Sequence, residues 1–508
     1  MIKSSKLKTS KNLSKICSNL RKKGKKIVLC HGVFDLLHIG HLKHFEEAKK
    51  NGDILIVSLT KDEFIKKGFN RPVFKLDDRL FSISSLQSVD YVIESPAANA
   101  TKIIQILKPD FYVKGPDYKN FKNDITNQIK LEKNAIKKIG GKLIFTKTPV
   151  KSSTKLLFDN DMIFNKHQKK FLYKVSKSIK HESIEKIIKK IKSLKVLIVG
   201  ETIIDKYSFC ETVGKASKDP MLVVREKEDK IFLGGAASIA QNVRKICKNV
   251  SFLSEVGKSN LYTSFIKSKL YNVQTKLIKN QQKDTIEKKR YIDEVSNSKL
   301  LGVYNVEDNK NFIGNRVVIN KYLKKNLKKF DLVIVSDYGH GLLDLISAKL
   351  IIKNSKFLFL NCQINANNKG THSIKKYKGA SNLIINETEL RYEMRDNISK
   401  TEILIKKFAN DYNLGLIIVT RGINGSIIYI KKKREMIKIP AFSNTIIDKV
   451  GTGDIMLSII SLFFAVTNNY QIGILAGSMF ASKSLKKFGN ENVLNLPELS
   501  KFFSTFLK

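Results

Sequence analysis

The sequence predicts two doubly wound α/β domains in one chain, and three observations carry that expectation. At 508 residues the chain exceeds what one hydrophobic core holds, so two or three domains are expected. Both halves alternate short apolar, strand-like runs with helical patterns, which implies parallel sheets covered by helices, with ligands at the strand C-termini. No Gly or Pro occurs between Pro149 and Gly200, so the join between the halves is expected to be helical rather than a floppy linker. The expected division is a first domain over 1–160, a helical linker over 161–182 and a second domain over 183–508.

The apolar runs Lys26–Cys30, Ile54–Leu59, Phe111–Lys114 and Leu143–Thr146 read as strands of the first domain. Between them, helices are expected near Gly40–Lys50, Asp77–Gln87, Asn99–Leu107 and Asp124–Ile139. After Ser183, an N-cap residue type, Ile184, Ile187, Ile188, Ile191 and Leu194 recur on one helical face. The strand Lys195–Val199 then opens the second half, followed by strands at Leu332–Val335, Phe357–Leu360, Leu383–Ile385, Leu416–Thr420 and Ser426–Ile430.

Composition excludes several function classes. With 42% hydrophobic and 27% charged residues the chain is neither disordered nor fibrous. The formal charge of +47 suggests a polyanion partner, but only 11 of the 93 basic residues are Arg, and the Lys are spread along both halves. A solvated lysine-rich surface is the expected reading, with no specific nucleic-acid partner. Five scattered cysteines without C-x-x-C spacing indicate neither a disulfide framework nor a zinc knuckle. The N-terminus has no apolar run, and the longest one elsewhere, Ile455–Val466, is too short to span a bilayer. A cytoplasmic protein without membrane association is the expectation.

The segment Cys30-His31-Gly32-Val33-Phe34-Asp35-Leu36-Leu37-His38-Ile39-Gly40-His41 leaves a strand, turns through Gly32 and enters a helix near Gly40. His38 and His41, at i and i+3, share one face of the first helical turn, where backbone N–H groups already attract phosphate. Gly40 lets a phosphate or base approach the backbone. Such a site stabilises charge on a nucleoside triphosphate while its α-phosphorus is attacked. The bland readings are a helix cap or a zinc pair, for which His31 and His44 are the only nearby further ligands. This strand-turn-helix resembles the H-x-G-H signature of the cytidylyltransferase-like nucleotidyltransferases, and the resemblance runs through residues 26 to 157. Lys67-Gly68 with Arg71-Pro72, Val113-Lys114-Gly115-Pro116-Asp117-Tyr118 and Ser152-Ser153-Thr154 resemble later elements of that domain. The resemblance implies a Rossmann-like fold in which Phe34, His38 and His41 hold the nucleotide, with Lys114 and Gly115 beside it. Ser153 and Thr154 would offer hydroxyls to phosphates. Pro116 stands where the family commonly has Gly.

In the second half, Asp448-Lys449-Val450-Gly451-Thr452-Gly453-Asp454 runs directly into an apolar helix. Gly451, Thr452 and Gly453 form a candidate anion hole for a transferring phosphoryl group, and a carboxylate at the same helix start can take a proton from an attacking hydroxyl. Alone this tetrapeptide is weak, since Asp is an ordinary N-terminal helix residue. Further segments sit at strand C-termini: Gly200 to Asp205, Gly234-Gly235-Ala236-Ala237-Ser238 with Asn242, Asn386 to Glu389, and Thr420-Arg421-Gly422. Each also has a plain structural reading, Asp205 and Asn386 as caps and Gly234-Gly235 as a turn. Their joint order resembles the ribokinase-like (PfkB) carbohydrate kinases over residues 195 to 508. That resemblance implies Asp454 as base and Asp205, Gly234, Gly235 and Asn242 at the sugar. It implies Asn386 and Glu389 near Mg²⁺ and phosphate, and Thr420, Arg421 and Gly422 along the ATP site, with no dedicated protein-ligated metal. Tyr207 to Arg225 would be a β-lid that closes over sugar and builds a homodimer. Ser238 stands where Asn is usual, Asn361 where the related heptose kinases have Asp, and Val450 and Thr452 where Thr and Ala are commoner.

The fused pair is similar to the bifunctional heptose-7-phosphate kinase/heptose-1-phosphate adenylyltransferases, with the two domains in the reverse of the common order. The resemblance implies Mg·ATP for both domains, sugar phosphates as substrates and ADP-heptose as product. The same two activities on another sugar, CTP in place of ATP in the first domain, and a kinase-like half that binds sugar without turnover are the alternatives.

Overall fold

In the computed structural model, the described residues are 5–65, 71–119, 128–147, 164–178, 184–306, 313–364, 368, 370–442, 448–485, 488–489 and 496–506. The chain forms two compact units, residues 1–166 with 497–506, and residues 167–496. Ser153 and Thr154, together with Lys67 and Gly68, lie outside the described residues.

The first unit is built on a parallel sheet of β1 (Ile27–Gly32), β2 (Ile54–Leu59), β3 (Tyr91–Glu94), β4 (Phe111–Lys114) and β5 (Lys142–Phe145), in the order β3-β2-β1-β4-β5. Side chains alternate along each strand, so both faces are apolar. Ile27, Leu29, Ile56 and Tyr112 join Leu13, Cys17, Ile104 and Ile136 in one core. Val28, Cys30, Val57 and Val113 join Phe45, Ala48, Leu80 and Ile83 in the other. Helices Ser10–Lys22, Thr101–Leu107 and Gln128–Lys138 therefore cover one face, and Ile39–Lys49 and Leu76–Ser84 the other. Strand order reverses between β1 and β4, and a crevice opens beyond their C-termini at such a switch point.

Beside that crevice the loop after β1 is tied down by a buried ion pair. The Asp35 carboxylate accepts from the Arg71 guanidinium, from Val73 N (2.8 Å) and from Phe74 N (3.0 Å), and neither charged side chain reaches solvent. Arg71→Ala leaves that carboxylate buried and without its counter-charge, so a loss of about 3–5 kcal/mol is expected. Urea titration should show an earlier unfolding transition, and an unchanged midpoint would refute the assignment.

The second unit contains β6 (Lys195–Gly200), β7 (Thr202–Lys215), β8 (Leu222–Gly234), β9 (Asn249–Val256), β10 (Gln274–Lys279), β11 (Ile286–Asp293), β12 (Lys299–Asn305) and β13 (Leu332–Asp337). It continues with β14 (Leu358–Cys362), β15 (Asn382–Asn386), β16 (Leu416–Thr420), β17 (Ser426–Ile430) and β18 (Glu435–Ile439). Nine strands form one sheet, β10-β9-β6-β13-β14-β15-β16-β17-β18, parallel except for the pairings of β17 with β16 and β18. The other four form a separate sheet, β12-β11-β7-β8. The expected lid, Tyr207 to Arg225, is thus half of a larger one, because β11 adds parallel to β7 and carries β12 with it. Helix Lys166–Ser178, from the expected linker, packs within this unit: Gln168 Nε2 donates to Ala441 O (2.6 Å), and Phe171 lies against Phe442. Residues 497–506 pack with the first unit, where Phe502 meets Phe164 edge-on.

Candidate active sites

In the first unit, β1 delivers the chain to a turn in which Phe34 adopts a left-handed φ of 48°. Helix Ile39–Lys49 starts one residue earlier than the periodicity suggests, because His38 is its N-cap: Gly40 N donates to His38 Nδ1 (3.1 Å). The cap and the functional reading are therefore compatible. With Nδ1 accepting, the His38 proton sits on Nε2. The His38 and His41 rings stack at 3.9 Å, and Phe34 meets His41 edge-on at 5.3 Å. Phe34, His38, Gly40 and His41 thus form one cluster at the helix start.

Lys114 ends β4, next to β1, with its ammonium 3.3 Å from Glu132 and 3.4 Å from His31 O. Burial, the largest influence, opposes its charge, but the Glu132 carboxylate with Tyr118 and Cys30 together outweigh it and the Lys114 pKa is raised. Tyr112 OH (2.9 Å) and Ala100 N (3.0 Å) donate to Glu132 in turn. Gly115 follows as the cap of a short 3-10 turn, Pro116–Tyr118, and Tyr118 places its ring 4.7 Å from the ammonium. His31 and His44, the further ligands a zinc site would need, are engaged by hydroxyls: Ser58 and Thr60 for His31, Thr146 for His44. Burial and then the Lys114 charge push both pKa values down to about 4, so both rings are neutral at pH 7. Glu132 carried no local sequence signal, since a Glu in a Lys-rich helix reads as surface.

In the second unit a cleft of about 480 Å³ is lined by Asp205, Gly235, Asn386, Glu389, Thr420, Gly422, Gly451, Thr452, Gly453 and Asp454 among others. Five separate strand ends and loops are brought together here. Gly451, at φ 77°, turns the chain into helix Thr452–Thr467, and a Cβ on Gly453 would meet nothing within 4 Å, leaving the helix start open. Asp454 accepts from Tyr338 OH (2.9 Å) at Oδ1 and lies 3.0 Å from Ser238 Oγ at Oδ2. Burial, and secondarily the Asp205 charge, push its pKa up to about 7 against the two hydroxyls. Ser238 Oγ also lies 2.9 Å from Gly235 O, and its single proton serves one of the two acceptors.

Asp205 is held by Arg290 (2.6 Å), a residue of the lid strand β11. A Cβ at Gly234 would fall 2.3 Å from Asp205 Oδ2, so only Gly leaves room for that carboxylate. Gly234 and Asn242 do not line the cleft; Asn242 is buried along helix Gly235–Arg244. Asn386 and Glu389 form a capping box, with Glu389 N donating to Asn386 Oδ1 and Asn386 N to Glu389 Oε2. Burial above all pushes the Glu389 pKa up to about 7. Arg421 turns aside to Glu387 (2.9 Å), next to rather than inside the main cleft. Asn361 donates to Ile384 O (3.0 Å) and ties β14 to β15.

Lys288 and Arg290 line the cleft and belong to no motif, whereas Glu201 and Tyr338 lie inside the runs Gly200 to Asp205 and Val335 to Gly341, where the sequence assigned them no role of their own. Glu201 accepts from Tyr338 N (2.9 Å) and His340 N (3.1 Å), setting the loop that carries Tyr338 to Asp454. Among the described residues, one cluster has metal-ligand spacing: Asp337, Cys362 and His372. The Asp337 carboxylate is already engaged by Lys376 (2.6 Å) and Tyr377 OH (2.7 Å), a cation and a donor where a metal would sit.

Residues 29–160 match the family described as cytidylyltransferase-like, and residues 193–496 match the pfkB family of carbohydrate kinases. Over the N-terminal domain the chain is 41% identical across 132 residues to a "Bifunctional protein HldE" of Aliarcobacter butzleri, covering 25% of this chain and 28% of that protein. It is 46% identical across 110 residues to the protein of the same name from Helicobacter pylori strain J99, covering 21% and 24%. These matches span less than a third of the length of those relatives. The fold is similar to that of a ribokinase from Giardia lamblia (TM-score 0.50, 17% identity), covering 62% of this chain and 99% of that one. A family match over more than half its length shows that this chain belongs to the pfkB family of carbohydrate kinases, and it carries a cytidylyltransferase-like domain ahead of the kinase.

Proposed function

We propose that the chain is a bifunctional enzyme of nucleotide-sugar synthesis, with its two activities in the domains expected at 1–160 and 183–508. The second phosphorylates a sugar phosphate with Mg·ATP, heptose 7-phosphate at C1 being the substrate of choice. The first transfers a nucleotidyl group from ATP to a sugar 1-phosphate and releases pyrophosphate, giving ADP-heptose. The observation that carries this reading is the placing of Asp454 at an open, glycine-capped helix start, across one cleft from Asp205. Asp454 takes the proton of the attacking hydroxyl as its oxygen bonds the γ-phosphorus and ADP leaves. The N–H groups of Gly451 to Gly453 face the transferring charge, Asp205 holds sugar hydroxyls, and Thr420 and Gly422 line the nucleotide. In the first domain the imidazoles of His38 and His41, with Lys114, stabilise the α-phosphate while the sugar phosphate oxygen attacks it.

Ser238 favours a second reading, the same chemistry on a different sugar, because the side chain where the family has Asn here contacts Asp454 itself. A homodimer through the lid is supported by the exposed Val213, Leu222, Leu301 and Val303 on its strands. A cytoplasmic location is supported by five buried, unbridged cysteines and by the finding that no described helix is long and apolar enough to cross a membrane. Mass spectrometry after incubation with Mg·ATP and D-glycero-D-manno-heptose 7-phosphate tests the kinase: a bisphosphate must form, and must be absent with Asp454→Asn. No product from this sugar, with product from another, would move the assignment to the second reading.

The base must be ionised to act, and its pKa is raised to about 7. The kinase kcat/KM is therefore expected to fall about tenfold per unit as pH drops below 7, and to level off above it. Glu389, also near 7, titrates beside Asp454, so the limb reports the pair. A flat profile between pH 5.5 and 8 would remove Asp454 from this role.

A further inference from the structure

The lid strand β11 runs parallel to β7 with Lys288 opposite Asp205, and Arg290 follows two residues on, so all three belong to one face of the lid. All three line the cleft. Arg290 takes the Asp205 carboxylate. Lys288 is only 9% exposed, yet among the described residues its ammonium makes no ion pair or hydrogen bond. Its surroundings are the rings of Tyr304 and Tyr338, each at 5.6 Å, and the Arg290 guanidinium lies over Tyr304 and Tyr207. The side chain is thus largely withdrawn from water while its ammonium faces the cleft, and a largely desolvated ammonium without an acceptor is costly. Burial, and Arg290 beside it, pull the Lys288 pKa down, while Asp205, Asp454 and Glu201 only partly offset this. Glu201 is engaged by two backbone N–H groups and Asp205 by Arg290, so two cations share one carboxylate at this end of the cleft.

We infer that Lys288, backed by Arg290, binds the phosphate that the sugar already carries and so selects a sugar phosphate over a neutral sugar. The inference rests on the reading of this cleft as a sugar kinase site. Phosphate oxygens supply the acceptors the ammonium lacks, and charge-assisted hydrogen bonds are the strong ones. The other phosphate available here is the γ-phosphate of ATP, which has the helix start at Gly451 to Gly453 as its own donor set. The lid position of Lys288 beside Asp205 favours the sugar's phosphate.

The test compares initial rates of the full chain with saturating Mg·ATP on D-glycero-D-manno-heptose 7-phosphate and on the same heptose without phosphate, in wild type, Lys288→Met and Lys288→Arg. The ratio of the two kcat/KM values is expected to fall roughly 10- to 100-fold in Lys288→Met, through KM for the phosphorylated sugar, and to be largely kept in Lys288→Arg. An unchanged ratio, or an equal fall with both sugars through kcat, overturns the inference, the latter assigning Lys288 to the transferring phosphoryl group. If another sugar phosphate is the substrate, it and its dephosphorylated form take the place of the heptoses. If no sugar is phosphorylated, the kinase reading fails, and thermal denaturation with inorganic phosphate still decides: stabilisation of wild type but not of Lys288→Met supports the anion site, and equal or no stabilisation overturns it.

Discussion

Asp454→Asn is expected to lower ATP-dependent sugar phosphorylation by at least about 10³-fold while leaving nucleotidyl transfer intact. The amide has the shape of the carboxylate but cannot take a proton. Its oxygen still accepts from Tyr338 OH, and its NH₂ can donate to Ser238 Oγ, whose own proton then goes to Gly235 O. No buried group loses its partner, so the protein should unfold at the wild-type temperature. Sugar KM should change little, because the missing interaction belongs to the transition state. Residual phosphorylation within tenfold of wild type would remove Asp454 as the base. Loss of both activities in a folded variant would mean that the two sites are not independent.

The reciprocal experiment is His41→Ala, for which nucleotidyl transfer is expected to fall roughly 10²- to 10³-fold with sugar phosphorylation retained, the size of losing one preorganised donor to the developing charge. His38 needs a different substitution because its Nδ1 caps the helix. His38→Ser keeps a cap and removes the imidazole, so it should lose transfer with little change in stability, whereas His38→Ala adds about 1 kcal/mol of destabilisation. A His38→Ser variant with wild-type transfer would assign His38 to the cap alone. Pyrophosphate release from ATP and, separately, from CTP measures transfer and identifies the nucleotide in one assay.

The short apolar runs of β1, β2 and β4 were readable along the chain, because both faces of a parallel sheet are covered and successive residues are apolar on either face. The two glycine-bearing turns into helices were readable too, since an anion site at a helix start needs small residues and polar groups close together in sequence. Their partners were not. Glu132 and Lys114 are 18 positions apart, and Tyr338 and Asp454 are 116 apart. β11, which carries Lys288 and Arg290, reads as polar surface because it holds four consecutive charged residues, Glu287 to Arg290. β3 and helix Ser10–Lys22 were missed as well: the strand is only four residues long, and the helix buries only Leu13 and Cys17 among polar neighbours.

What the sequence determined by itself was therefore the α/β class and the two glycine-bearing turns into helices, with Asp454 at the second of them as the proposed base. What only the tertiary structure decided was the electrostatic setting of those groups: Asp454 raised to about 7, His31 and His44 lowered to about 4, and Lys288 buried in the cleft wall. The physical reason is range. Turn chemistry acts within a few residues, whereas desolvation and Coulomb interactions depend on which distant strands the fold brings within a few ångströms.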